Sequence, residues 1–375
     1  MQDLHSFFNV SEFEEQYVNS FQQLTWGDSL LQKLDGNSIA SSDIVIIGCG
    51  EMRGAEGDDL YSNAPEEVMK QLFQMYNWHP AVKLAYAGNI AQGLTTDDTR
   101  AALRTVLSEL QEAGKTVLII GGSHDLTMQQ YEAFKKKEQI IDVTVADMLI
   151  DLEETEEMTD RSFLMDMLTK EPNYIRNYSH IGFQSYYTQP RMLETLDKLR
   201  FDFFRLGKVR ESMEEIEPVL RGSHLFSFDI NAIKHSDAPS NINGSPNGFS
   251  GDEACLLARF AGMSNNLTSF GIYGYNPTTD QYDITAKQIA QMIWYFVDGF
   301  LVRKNEALLK ERVEFMEYHV NATSLETTFL KSKRTNRWWM QLPNNSFVPC
   351  SYNDYLIASK NELPERWLRE QERLM

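Results

Sequence analysis

Short runs of β-branched and aromatic residues recur along the chain, each ending in glycine or polar residues and followed by a stretch with helical spacing. Eight of these runs predict strands: 43–50 (DIVIIGCG), 82–88, 115–122 (KTVLIIGG), 141–147 (IDVTVAD), 179–184, 202–207, 224–230 (HLFSFDI) and 268–276 (TSFGIYGYN). Four intervening stretches, 65–76, 97–114, 190–200 and 284–301, place apolar residues three and four apart and predict helices. The stretch 97–114 carries acids at its start and Gly114 as a stop. Buried strands alternating with helices predict an α/β fold with a mostly parallel sheet of about eight strands and helices on both faces. In such folds ligands gather beyond the carboxyl ends of the strands, so the polar residues there are the ones to weigh.

The texture divides the chain into a helical segment at 1–40, an α/β domain at 41–303 and a C-terminal appendage at 304–375. In the appendage, KNEALLKERVEFMEYHV (304–320) has a helical look, TTFLKSKRTNRWWMQLP (327–343) reads as strand, and the remainder as a short helix and tail. Its aromatic residues argue for packing against the main domain, because disordered tails are poor in them. Trp338 and Trp339 fit either a buried core or a contact surface for a protein partner.

Composition narrows the classes. The formal net charge of −19 opposes nucleic acid and anionic membrane as partners, since both are polyanions. The stretch KSKRTNRWW (331–339) is the one basic patch, read first as an amphipathic strand with solvated cations and second as a phosphate or RNA contact. No apolar run approaches the ~20 residues that span a membrane, and the N-terminus lacks the pattern of a signal peptide, so no membrane insertion and a cytoplasmic protein are expected. Cys49, Cys255 and Cys350 stand far apart and read as small buried residues.

Candidate chemistry lies at the strand ends. GGSHD supplies His124 and Asp125. DMLID supplies Asp147 and Asp151, with Leu149 between them; in an extended segment all three would leave one face. SFDINAIKHSDAP supplies Asp229, then Asn231, His235 and Asp237. One imidazole and three carboxylates on one rim suit a divalent ion such as Mn²⁺. Taken singly, each Asp also fits a cap or turn, and a lone His is more often structural.

These motifs resemble the arginase, agmatinase and formimidoylglutamase group, whose three signatures have the forms GGDHS, DAHxD and SxDxDxxDP. The likeness covers roughly residues 40–303, with GCGEMRGAEGDDLYSNAPEEVMKQLF similar to the group's first strand and pocket loop, and it is nearest the formimidoylglutamase-like members. It implies the three-layer arginase-like α/β fold, two Mn²⁺ ions, and self-association. By motif, the first ion would take His124, Asp147, Asp151 and Asp229, all of the expected type. The second would need a His where Leu149 stands and an Asp where Asn231 stands. Leucine has no lone pair, and neutral Asn is a weaker ligand than carboxylate. The Glu that grips a guanidinium in relatives falls at Gly274, and no His follows in LEETEEMTDRSFLMDML, where arginases carry one.

The resemblance therefore implies an arginase-fold protein that has lost binuclear hydrolysis, a pseudoenzyme retained for binding or assembly, with one divalent ion or none. The alternative is a one-metal hydrolase of a linear amidine or guanidine C–N bond, with Asp125 or His235 as base. His235 sits in a polar stretch, 234–253, expected to form a loop over the pocket. A binding protein that keeps an amidine or guanidine ligand without turnover is the third reading.

Overall fold

The eight apolar runs form strands because their side chains have apolar helices to pack against on both sides of the sheet. In the computed structural model, which describes residues 4–9, 22–31, 36–55, 62–241, 243–322 and 325–374, they are β2 (Ile44–Cys49), β3 (Leu84–Ile90), β4 (Thr116–Gly121), β5 (Ile141–Ala146), β6 (Ile175–Phe183), β7 (Asp202–Arg205), β8 (Leu225–Asp229) and β9 (Ser269–Tyr273). A short ninth strand, β1 (Phe8–Asn9), pairs antiparallel with β3 and edges the sheet. The order is β1-β3-β2-β4-β9-β8-β5-β6-β7, parallel throughout except at β1. Segment 1–40 thus contributes a strand besides its helices Trp26–Leu31 and Gly36–Ser41, and the rest of that expectation lies outside the described residues.

Alternate side chains along the strands serve the two faces. Ile44, Ile46, Leu118, Ile120, Phe226 and Phe270 pack with the helices Ala64–Phe73, Gly251–Gly262 and Ile284–Asn305. Val45, Ile47, Val117 and Ile119 face the helix Thr96–Glu112 instead, and Val143 and Val145 pack with residues of Thr127–Lys135 and Phe163–Thr169. The result is the expected three-layer arrangement. The four predicted helices are present, with Thr96–Glu112 started by a capping box from Thr95 and Asp98. Thr127–Lys135 and Gly251–Gly262 were not read from the sequence; the second, 12 residues long, begins inside the polar stretch 234–253 expected to be a loop.

The appendage is a four-stranded antiparallel sheet followed by two helices, and here one expectation fails. Residues 304–320 are not an α-helix beyond Asn305: a loop and the 3-10 turn Arg312–Glu314 lead into β10 (Phe315–Ala322), which pairs along its length with β11 (Leu325–Ser332). The alternation of FMEYHV fits a hairpin strand, and pairing overrides the helix-forming residues before it. β12 (Trp338–Gln341) and β13 (Phe347–Cys350) complete the sheet, and the helices Tyr352–Ser359 and Glu365–Glu372 follow.

Trp338 and Trp339 are buried, which removes them as a surface for a partner. Within the basic patch Lys333 and Arg334 are exposed, Arg334 pairing with Glu314, and buried Arg337 pairs with Glu306. All three cysteines are free and buried. Among the described residues no helix is long and apolar enough to cross a membrane.

Candidate metal centre

Three strand ends meet where the chain crosses the sheet. β4 runs into the tight turn Gly121–Gly122 and a single 3-10 turn, His124–Leu126; β5 ends before Asp147; β8 ends on Asp229. Between β4 and β5 the sheet order inserts β9 and β8, so the cluster sits at a switch in strand order, where parallel sheets leave a crevice.

Four side chains converge there, all buried. Nδ1 of His124 lies 3.2 Å from Oδ2 of Asp151, 3.5 Å from Oδ2 of Asp229 and 3.6 Å from Oδ2 of Asp147. Each of two carboxylates spends its other oxygen on its own backbone. Oδ1 of Asp147 accepts from the Met148 N–H at 2.5 Å, and Oδ1 of Asp229 accepts from the Asn231 N–H at 2.7 Å. The inward oxygens are thereby aimed at one point. Nε2 of His124 lies 3.0 Å from the Ser227 hydroxyl, which in turn lies 2.6 Å from that of Thr127. With Nε2 given to Ser227, Nδ1 is the ring nitrogen that faces the three carboxylates, where it holds a proton in the metal-free chain and would turn a lone pair to an ion that displaced that proton.

The electrostatics follow from burial. Burial first, and then the neighbouring Asp147 charge, push the Asp229 carboxyl up to about 8. Burial raises Asp147 and Asp151 to about 6, although the His124 contact opposes the rise. His124 itself is held well above the usual imidazole range by the three carboxylates, against its own burial. Three buried carboxylates with one imidazole are a site in want of positive charge. His124, Asp147 and Asp229 present ligand atoms within 4.8 Å of one another, and nitrogen plus carboxylate oxygen suits Mn²⁺ or a similar ion.

Several expectations take a different form. Residues 147–151 bend rather than extend, so Asp147 and Asp151 meet through the bend. Leu149 is partly buried, and buried Asn231 gives its side-chain oxygen to the Asn243 N–H at 3.3 Å. The Asp125 carboxylate is taken by Arg100, with contacts of 2.6 and 3.1 Å, outside the cluster. His235 is exposed, its N–H bonded to the Ser245 carbonyl, in a loop that ends where Ser250 caps the helix Gly251–Gly262. Gly274 lies against Asp229 with φ of +83°.

Four supporting residues were missed by sequence reading. His180, on β6, bonds the Asp147 carbonyl through Nε2 at 3.1 Å and accepts from the Tyr178 hydroxyl at 2.8 Å; burial pushes it down to about 3, so it is neutral. A histidine inside an apolar strand was the available signal. Ser227, in the quoted SFD, was passed over as a strand residue. Glu51 is buried and chelated by Arg53 at 2.8 and 2.6 Å, while its carbonyl accepts from the Ser123 N–H. It braces the turn that carries His124. Asp160, partly buried, has a carboxylate close enough to raise both Asp151 and Asp229 through charge.

The model of the arginase family matches residues 42–298. This chain belongs to the arginase family. Among solved structures it is similar to a formiminoglutamase of Trypanosoma cruzi in its Mn²⁺₂ form, with a TM-score of 0.66 and 19% identity, covering 73% of this chain and 99% of that one. It is also similar to the formimidoylglutamase of Bacillus subtilis, with TM-score 0.63, 18% identity and coverage of 69% and 87%. The agmatine ureohydrolase of Thermoplasma volcanium gives TM-score 0.59, 17% identity and coverage of 76% and 96%. No curated protein matches by sequence. At these identities the structures establish a shared arginase fold. The family match ends near the close of the long helix Ile284–Asn305, so the antiparallel appendage lies outside it.

Proposed function

We propose that this arginase-family chain holds a single divalent ion of the Mn²⁺ type and has lost binuclear hydrolysis, acting as a pseudoenzyme that binds a small amidine or guanidine compound. One contrast carries the reading. The three first-ion carboxylates gather around Nδ1 of His124, while the second-ion places are a hydrocarbon at Leu149 and an amide at Asn231 already engaged with Asn243.

His124 would hold the ion through Nδ1, and Asp147, Asp151 and Asp229 through their inward oxygens. Such an ion, when bound, polarises an oxygen ligand or water. The chain's own part is positional: Ser227 orients the imidazole, and His180 fixes the Asp147 backbone. Metal analysis of protein purified with Mn²⁺ supplied tests the reading. One ion per chain is expected, and two would overturn it.

The second reading is a one-metal hydrolase of a linear amidine or guanidine. It is favoured by the charge of Asp160, which acts on both Asp151 and Asp229 and makes Asp160 a candidate base. Release of formamide, urea or ammonia from formimidoylglutamate, agmatine or arginine, abolished by Asp229→Ala, would establish this reading in place of the first. Self-association and a cytoplasmic setting accompany both readings, and light scattering checks the former.

A further inference from the structure

The appendage leaves a long strand edge open. The edge strands β1, β7 and β13 have two, four and four residues, whereas β10 runs for eight, in unbroken register with β11. Its pairing shows which backbone groups are left over. The Lys333 N–H donates to the Glu314 carbonyl, so 314 and 333 form a hydrogen-bonded pair, and the register repeats that role at Met316, Tyr318 and Val320. The N–H and C=O groups of Phe315, Glu317, His319 and Asn321 therefore point away from β11. Among the described residues no strand and no hydrogen bond reaches them from that side. Such edges are usually blunted by lysine, proline or a bulge. FMEYHVNA has none of these, and its one acid is Glu317, held 3.8 Å from Arg312.

The open edge is complementary to itself. When two copies pair antiparallel with Tyr318 opposite Tyr318, Glu317 meets His319 and Phe315 meets Asn321. All four outward residues then fall in hydrogen-bonded pairs, each exchanging two bonds. On the other face Met316 meets Val320. His319 spends Nδ1 on the Thr328 hydroxyl at 3.2 Å, which leaves Nε2 for the opposing carboxylate. Other registers do worse. A shift of one residue sets outward backbone groups against inward ones. A shift of two uses three outward residues instead of four, and in one direction it places Glu317 against its own copy, an unfavourable like-charge pair.

We propose that β10 is an interface for a second copy of this chain, the two outer edges pairing antiparallel about Tyr318 to join two four-stranded sheets into one. The strand lies outside the residues matched to the arginase family, 42–298, so this association is separate from any that the family resemblance implies.

The test is sedimentation equilibrium of the full-length chain, in which a reversible dimer is expected. His319→Pro removes an outward N–H and leaves the β11 ladder intact, since edge positions tolerate proline, and it should weaken the dimer about tenfold or more. His319→Glu sets carboxylates opposite each other and should also weaken it, and adding Glu317→Lys should restore it. Cross-linking reads the register. Tyr318→Cys should give a disulfide-linked dimer on mild oxidation, because residues opposite in a non-hydrogen-bonded pair stand about 4.5 Å apart at Cα, within disulfide reach. Met316→Cys should not, and the native cysteines are buried. A monomeric parent would leave the edge to an extended segment of another protein and overturn the proposal. So would association indifferent to the position 319 variants, or cross-linking by Met316→Cys in place of Tyr318→Cys.

Discussion

Gly274 stands against Asp229 with no room for a side chain: a Cβ there would lie 2.6 Å from Oδ1, and the backbone φ of +83° already disfavours one. The glycine thus packs directly against a carboxylate of the candidate metal centre, where a side chain would press on Asp229. Gly274→Glu is expected to lose stability, by about 1 kcal/mol for the left-handed backbone alone, and to displace Asp229. Thermal melts and Mn²⁺ titration should show both losses, with no gain of agmatine or arginine turnover. A variant that bound Mn²⁺ normally and hydrolysed either compound would refute this.

Restoring the missing ligands tests the single-ion reading from the other side. Leu149→His with Asn231→Asp supplies the donor types that the family resemblance assigns to a second ion. The double variant should raise Mn²⁺ content from one to two per chain, and Asp151→Ala in the parent should lower it towards none. A double variant that still holds one ion would mean that the backbone at 149 and 231, and not side-chain identity alone, excludes the second.

The Ser227 hydroxyl has no contact with an ion in this reading, yet it sets the His124 tautomer. Ser227→Ala should weaken Mn²⁺ binding about 10–100-fold, as loss of such an orienting bond commonly does. Far-UV spectra and metal-free melts should change little, which separates this effect from misfolding.

All eight main strands were legible because each is a compact apolar run bounded by Gly or polar residues, and buried parallel strands leave that trace. The four candidate ligands could be named because they stand at strand ends or in the short segments just beyond them. His180 and Ser227 were not, since inside a strand a polar residue is indistinguishable from a satisfied core residue until its neighbour across the sheet is known. Asp125 misled for the related reason that its sequence neighbour is His124, while its charge partner, Arg100, lies on a separate helix. Strand β10 was misread because EALLKER has helical propensity, and only the β11 pairing decides the segment that follows.

Acidity offers a test that needs no substrate. In the metal-free chain Asp229 is raised to about 8 and His124 is raised as well, so the folded state holds protons that the unfolded state releases. Stability carried by such groups falls as pH rises through their folded values. His180, lowered to about 3, has the opposite sign, but its contribution changes only below about pH 6.5, where the unfolded imidazole protonates. Between pH 7 and 8 the metal-free melting temperature should therefore fall, with a limiting slope of about 1.4 kcal/mol per pH unit for each proton. Saturating Mn²⁺ should reverse the trend, because ligands bind metal deprotonated. A metal-free melting temperature that rises with pH in this window would count against the buried cluster.

The appendage is bolted to the domain by two buried arginines. Arg337 pairs with Glu306 at 2.8 Å and donates to the Met263 carbonyl at 2.8 Å. Arg221 donates to the carbonyls of Trp338 and Cys350 at 2.9 and 3.1 Å, and its guanidinium lies 4.4 Å from the Trp339 ring centre. Removing residues 306–375 would strip both sets of partners and expose apolar surface, so the truncated chain should aggregate or melt far below the parent. Arg337→Met leaves the Glu306 charge buried and should cost about 3–5 kcal/mol in urea unfolding. Adding Glu306→Gln should recover part of that loss, because the stranded charge is then gone. A truncated chain that melted cooperatively within a few degrees of the parent would instead make the appendage a separable module.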